Sequence, residues 1–151
     1  DEAIKAFPTS TIFIVGGIFP LSKALVSSGA AEYLVNAISP VLSNLPPIVL
    51  LGAITFLMLL TTQFLMNSSA TVLVLPIAIM LCQAAGINPL AGAMSVSVCA
   101  SGAFVTPFGT APNLLVWEAG GYSVKDYLKC GFPMLIIFGV VTTALCAVFY
   151  L

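Results

Sequence analysis

Thr61-Thr62-Gln63-Phe64-Leu65-Met66-Asn67-Ser68-Ser69-Ala70-Thr71 is a polar cluster set between two apolar runs, residues 48–60 and 72–81. Read as one continuous helix, residues 48–85 would extend about 57 Å at 1.5 Å per residue. A bilayer's hydrocarbon core is only about 30 Å thick. Two arms that fold back at a polar tip fit that thickness better. The expectation is therefore a re-entrant hairpin over residues 47–85, with its tip at Asn67-Ser68-Ser69. Non-helical backbone at such depth is tolerated only where protein or a water-filled cavity surrounds it.

A second interruption follows. Residues 90–105 are rich in small side chains, among them Ala91, Gly92, Ala93, Ser95, Ser97, Ala100, Ser101, Gly102 and Ala103. Such a surface suits close helix–helix packing in lipid. It runs into Thr106-Pro107-Phe108-Gly109-Thr110-Ala111-Pro112-Asn113 and then the short apolar stretch 114–117. Two prolines and a glycine inside an apolar region break a helix. The pattern predicts a discontinuous helix over residues 90–117: half-helix, unwound loop, half-helix.

The remaining segments complete an all-α integral membrane reading. Residues 8–28 form a first span, with Gly16-Gly17 and a kinking Pro20. Residues 30–43 place Ala31, Leu34, Val35 and Ile38 on one helical face, the pattern of an interfacial helix. Residues 118–131 read as a polar loop with Lys125 and Lys129, and residues 132–151 as a final span. Charged residues are 6% of the chain against 60% hydrophobic, with mean hydropathy +1.17. A soluble domain carries about 25% charged residues, so water is not the main solvent. Net charge is −1 with no His, which leaves no basic face for nucleic acid. Cys82, Cys99 and Cys146 lie in apolar runs and Cys130 in the polar loop, without metal-type spacing. The chain begins at Asp1 and shows no signal peptide pattern, so it reads as part of something larger. It contains no internal repeat. Transporters with interrupted helices are commonly built from inverted pairs, so the expectation is that the other copy lies outside these residues and that this is the second half of an inverted-repeat transporter.

The two interruptions point to chemistry. A helical arm that begins near Ser69 and another that begins near Pro112 each present unsatisfied N–H groups and a positive dipole end. Both favour a bound carboxylate or sulfate. Carbonyls of an unwound loop, such as those of Thr106 and Gly109, suit Na⁺. Each residue also has a plain structural reading. Thr110 would cap the second half-helix with Pro112 in its first turn, and Asn67 would hydrogen-bond across the tip to close it.

The segment Gln63 to Thr71, followed by Leu75-Pro76-Ile77, resembles the second Ser-Asn-Thr hairpin of the divalent anion–sodium symporters. Thr106 to Asn113 resembles their unwound loop, which usually ends Thr-Pro-Pro-Asn. Gly120-Gly121-Tyr122, Asp126-Tyr127-Leu128 and Gly131-Phe132-Pro133 resemble the approach to their last span. The likeness covers nearly the whole chain. It implies that Asn67, Ser68, Thr110 and Ala111 hold substrate, and that Asn67, Phe108 and Gly109 hold Na⁺, partly through backbone carbonyls. This sequence departs from the pattern at Met66 for Ser, Ser68 for Thr and Ala111 for Pro.

The function expected is Na⁺-coupled secondary transport of small di- or tricarboxylates, or of a related divalent anion. A proton-coupled or exchange-type permease is the alternative, and a channel is a more distant one. Residues 33–117 carry no charge, so this stretch lacks the intramembrane carboxylate that proton coupling uses. No acid–base pair or nucleophile marks an enzyme. The expected partners are the anion, the cell membrane, the N-terminal repeat and a second protomer in a homodimer.

Overall fold

The computed structural model describes residues 45–107 and 109–151, together with Pro20, Ala24, residues 27–30 and Tyr33. The expected first span over 8–28 and the interfacial helix over 30–43 lie essentially outside the described residues. Five helices are described in full: α1 (Pro47–Phe64), α2 (Asn67–Ala84), α3 (Pro89–Cys99), α4 (Ala111–Gly120) and α5 (Val124–Tyr150). Among the described residues there is no strand.

Local chemistry sets the boundaries. Pro47 opens α1 where its missing N–H costs nothing. At the far end, Leu65 and Met66 are extended, with ψ of 151° and 144°. Two residues thus separate α1 from α2. The link from α2 to α3 turns at Gly86, whose φ of +69° is a left-handed conformation that suits glycine. Asn88 then caps α3, its side chain accepting from the Leu90 N–H at 3.0 Å. Gly121, with φ of +62°, ends α4 in the same left-handed conformation.

The start of α5 corrects the expected polar loop over 118–131. The helix begins at Val124, and residues 124–131 belong to it. A capping box drives this early start. Ser123 donates its N–H and its hydroxyl to the Asp126 carboxylate at 2.9 and 2.6 Å. Cys130, expected in a loop, accordingly lies exposed on α5.

The core is shared by four helices. Leu50, Leu51, Ile54, Met58 and Leu59 of α1 meet Ala70, Val74, Ala78 and Cys82 of α2, Val96 and Cys99 of α3, and Leu135 of α5. Helix α3 packs against α1, α2 and α5, and its small residues permit close approach. A Cβ on Gly92 would lie 2.7 Å from Cys82 Sγ and 3.2 Å from the Ala78 carbonyl oxygen. Buried Thr55 and Ser95 return their hydroxyls to their own helices, at Leu51 and Gly92.

The outer surface is apolar as well. On α5, Ile137, Val140, Val148 and Phe149 are 55–79% exposed. Helices α1, α2 and α5 are each long and apolar enough to cross a membrane. At 1.5 Å per residue, α1 and α2 are each about 27 Å long and α5 about 40 Å. An apolar exterior around an apolar core is what a hydrocarbon solvent or a further protein partner selects.

Candidate functional site

The two interruptions, about forty residues apart in sequence, face one another across a single cleft. It is lined by Met66, Asn67, Ser68, Ser101, Gly109, Thr110 and Pro112, with a volume of about 380 Å³. Of the residues expected to bind substrate or ion, Asn67, Ser68, Gly109 and Thr110 line it. Ala111 opens α4 beside Thr110. Phe108 lies outside the described residues.

Both helices that start at the cleft begin without a side-chain cap. At α2 the N-cap position is Met66, which has no capping group. The first main-chain bond there is from the Ala70 N–H to the Met66 oxygen, at 2.9 Å. The three preceding N–H groups belong to the orphan set of a helix start. At α4 the N-cap is Thr110, extended at φ −142° and ψ 149°, and its hydroxyl makes no capping bond. The capping role expected for Thr110 therefore holds in position but leaves the hydroxyl uncommitted.

Asn67 is likewise unspent. Its carboxamide oxygen is buried and has no hydrogen-bond partner, so it does not close the tip. Its main-chain oxygen accepts from Thr71 Oγ1 at 2.8 Å. An unpaired buried acceptor is costly. A cation or a donor supplied by a ligand would relieve it.

The non-helical segment between Cys99 and Ala111 is held firmly. Gln63 Nε2 donates to the carbonyls of Leu59 at 2.7 Å and Gly102 at 2.9 Å. Gln63 Oε1 accepts from the Val105 N–H at 2.9 Å. Thr106 Oγ1 donates to the Gln63 main-chain oxygen at 2.8 Å. From the other side, Asn113 Nδ2 donates to the Ala103 carbonyl at 2.7 Å and, more weakly, to that of Thr106 at 3.4 Å. The Thr106 carbonyl, expected as a free ion ligand, thus already faces Asn113. Gly109 has no room for a side chain: its Cβ would sit 2.5 Å from that of Ala103 and 3.1 Å from the Thr62 carbonyl oxygen.

Sequence reasoning gave no role to Gln63, Ser101 or Asn113. Gln63 carried a usable signal, because a long amide at the end of an apolar run must find partners. Ser101 had none beyond its place in a run of small residues. The cleft's electrostatics are dipolar, since residues 33–117 include no Asp, Glu, Lys or Arg. Among the described residues, no group of three or more His, Cys, Asp or Glu is placed to hold a metal. The side-chain oxygens that line the cleft belong to Asn67, Ser68, Ser101 and Thr110, a hard donor set of the kind that suits an alkali cation such as Na⁺.

The family described as "Sodium:sulfate symporter transmembrane region" matches residues 5–151. The "Uncharacterized transporter sll0640" of Synechocystis is 32% identical over 149 residues, 99% of this chain and 24% of that protein. "Solute carrier family 13 member 2" of Mus musculus is 33% identical over 138 residues, 91% of this chain and 23% of that protein. The "Na(+)/citrate cotransporter" of Rattus norvegicus is 32% identical over 130 residues, covering 86% and 23%. The chain thus spans about a quarter of the length of these relatives. With the match running from residue 5 to Leu151, this multi-pass membrane chain belongs to the sodium:sulfate symporter transmembrane family.

Proposed function

We propose that this chain forms the substrate- and ion-binding part of a secondary transporter that moves a small di- or tricarboxylate, or a related divalent anion, together with Na⁺. The observation that carries the reading is a neutral cleft where two uncapped helix starts and the unpaired Asn67 oxygen converge. Helix N-termini attract an anion by roughly 0.3–1 kcal/mol each, up to about 2 in partly buried geometry. Unit charges about 5 Å apart, at an effective dielectric of about 20, attract by roughly 3 kcal/mol. A co-bound cation therefore contributes more than either dipole, and the anion should bind poorly without it.

In this reading Asn67 and Ser68 hold the anion from the hairpin tip, and Thr110 and Ala111 hold it from the start of α4. Asn67, with carbonyls at Phe108 and Gly109, takes the Na⁺. Helices α1 and α2 act as a re-entrant hairpin, and α3 and α4 as the halves of one broken helix. An N-terminal repeat and a second protomer complete the transporter. The name of the rat cotransporter supports sodium and citrate as the first pair to test.

The test is uptake of radiolabelled succinate, citrate and sulfate by the full-length protein in liposomes. Accumulation that requires an inward Na⁺ gradient is the expected result. Accumulation driven equally well by a proton gradient, with Na⁺ absent, would overturn the coupling.

A further inference from the structure

Gln63 does not line the cleft, yet it is the residue that joins the cleft's two walls. It is only 5% exposed, and its amide spends both donor and acceptor capacity on main-chain groups. Two of those groups lie in the break after α3. In a continuous helix the Gly102 carbonyl would accept from residue 106 and the Val105 N–H would donate to residue 101. Unwinding strips both of those partners. The Gly102 carbonyl turns back to accept from the Phe104 N–H at 3.0 Å. A carboxamide carries the same donor and acceptor as a peptide group, so Gln63 gives the Val105 N–H its acceptor and the Gly102 carbonyl a second donor. Thr106 completes the pairing by donating to the Gln63 main-chain oxygen. Asn67 lies four residues beyond Gln63 at the tip, and Thr110 lies four beyond Thr106 in the loop.

We propose that Gln63 is a positioning residue for transport: its side-chain amide holds the unwound segment to the end of α1, and so keeps Thr110 and Gly109 in register with Asn67. This rests on the cleft being the transport site, and it adds a determinant of affinity that never touches ligand. A carboxylate at this position accepts from Val105 but cannot donate to Gly102 or Leu59. A methionine fills the space and does neither.

The experiment uses the full-length transporter with Gln63→Glu. Binding of succinate, citrate or sulfate, whichever the wild type takes up, is measured at pH about 8 and about 5.5. Each variant is scored against wild type at the same pH. A second readout, independent of ligand, is the distance distribution between spin labels at exposed positions 65 and 115 in a background without native cysteines. At pH 8, Gln63→Glu should bind at least ten-fold more weakly and show a broadened distance distribution. At pH 5.5 the protonated carboxyl regains one donor, so affinity and a narrow distribution should partly return. If Gln63→Glu does not fold, Thr106→Val carries the same test, with several-fold weaker binding and a broadened distribution expected.

Normal relative affinity with only a lowered melting temperature would overturn the proposal, as would a narrow distribution in a variant that no longer binds. Should the wild type bind none of the three anions, the functional reading fails, while the distance measurement still judges the clamp.

Discussion

Tyr127 on α5 donates its phenolic hydrogen to the main-chain oxygen of Asn113 on α4 at 2.9 Å, and Asn113 in turn holds the Ala103 carbonyl at 2.7 Å. The segment between α3 and α4 is thus gripped from the α4–α5 side as well as by Gln63. Neither residue lines the cleft. Tyr127→Phe removes one bond near the surface and should cost about 1 kcal/mol of unfolding free energy. Asn113→Ala leaves the Ala103 carbonyl without its close partner and should cost about 1–3 kcal/mol. Unfolding of the purified protein in detergent gives both values, and equal losses would argue against the grip at Ala103.

Two glycines on long helices should respond to alanine with opposite signs. A methyl on Gly131 would collide with the carbonyl of Phe104 and come within 2.9 Å of Val105 Cα. These are backbone atoms of the segment between α3 and α4 and cannot turn aside, so Gly131→Ala should destabilise by about 1–3 kcal/mol. A Cβ on Gly52 would meet only Thr143 Cγ2, at an ordinary 3.7 Å. Gly52→Ala should therefore gain up to about 1 kcal/mol from helix propensity. Melting temperatures of the two variants, measured side by side, check the contrast.

Both helix breaks are legible in the sequence. The polar cluster at 61–71 and the proline–glycine run at 106–113 announced their breaks, because prolines and unpaired polar groups cannot hide inside a regular apolar helix. What periodicity could not convey was which distant groups would satisfy the freed backbone. Gln63 reaches Gly102 and Val105 across 39 and 42 residues, a pairing set by packing and not by spacing. The early start of α5 was written in Ser123 and Asp126 as a capping box. Lys125 and Lys129 give the same segment the polarity of a loop. Capping chemistry, and not charge pattern, decides the secondary structure there.

Met66 occupies a helix N-cap without any capping group. Met66→Ser offers a hydroxyl to the N–H groups of Ser68 or Ser69 and should stabilise the ligand-free protein by about 0.5–2 kcal/mol. If those same N–H groups bind the anion, the new cap competes with it, and affinity should fall while stability rises. Parallel thermal unfolding and anion titration test this. A rise in both would mean that the added hydroxyl serves as a ligand instead.

The re-entrant reading of α1 and α2 predicts that positions 45 and 88 open to the same side of the membrane and position 125 to the other. Exposed Cys130 must first be replaced by serine, since its thiol would report by itself. Single cysteines at the three positions, labelled by an impermeant maleimide in sealed vesicles, decide the topology. Labelling of 45 and 88 from opposite faces would mean that the arms do not return to the side they entered from.

Asn67 and Thr110 separate ligand contact from architecture. The Asn67 oxygen has no protein partner to lose, so Asn67→Ala should leave the stability of the ligand-free protein unchanged or slightly raised. What it should remove is stabilisation by Na⁺. A cation present at about 100 times its dissociation constant adds about 2.7 kcal/mol, and the variant should show little of that. Thr110→Ala removes a hydroxyl that makes no capping bond, so it too should spare stability in the absence of ligand. If these residues contact ligand as proposed, each change should leave ligand groups unpaired, a loss of about 1–3 kcal/mol, or about ten-fold in affinity at about 1.4 kcal/mol per decade. Ser97→Ala, on the exposed side of α3 and bonded only to its own helix, should stay within about 0.5 kcal/mol of wild type in every measurement. The decisive comparison is melting temperature with and without Na⁺, alongside anion titration, in all three variants. If Asn67→Ala and Thr110→Ala lower stability in the absence of ligand yet bind the anion and respond to Na⁺ as wild type does, both residues serve the fold alone.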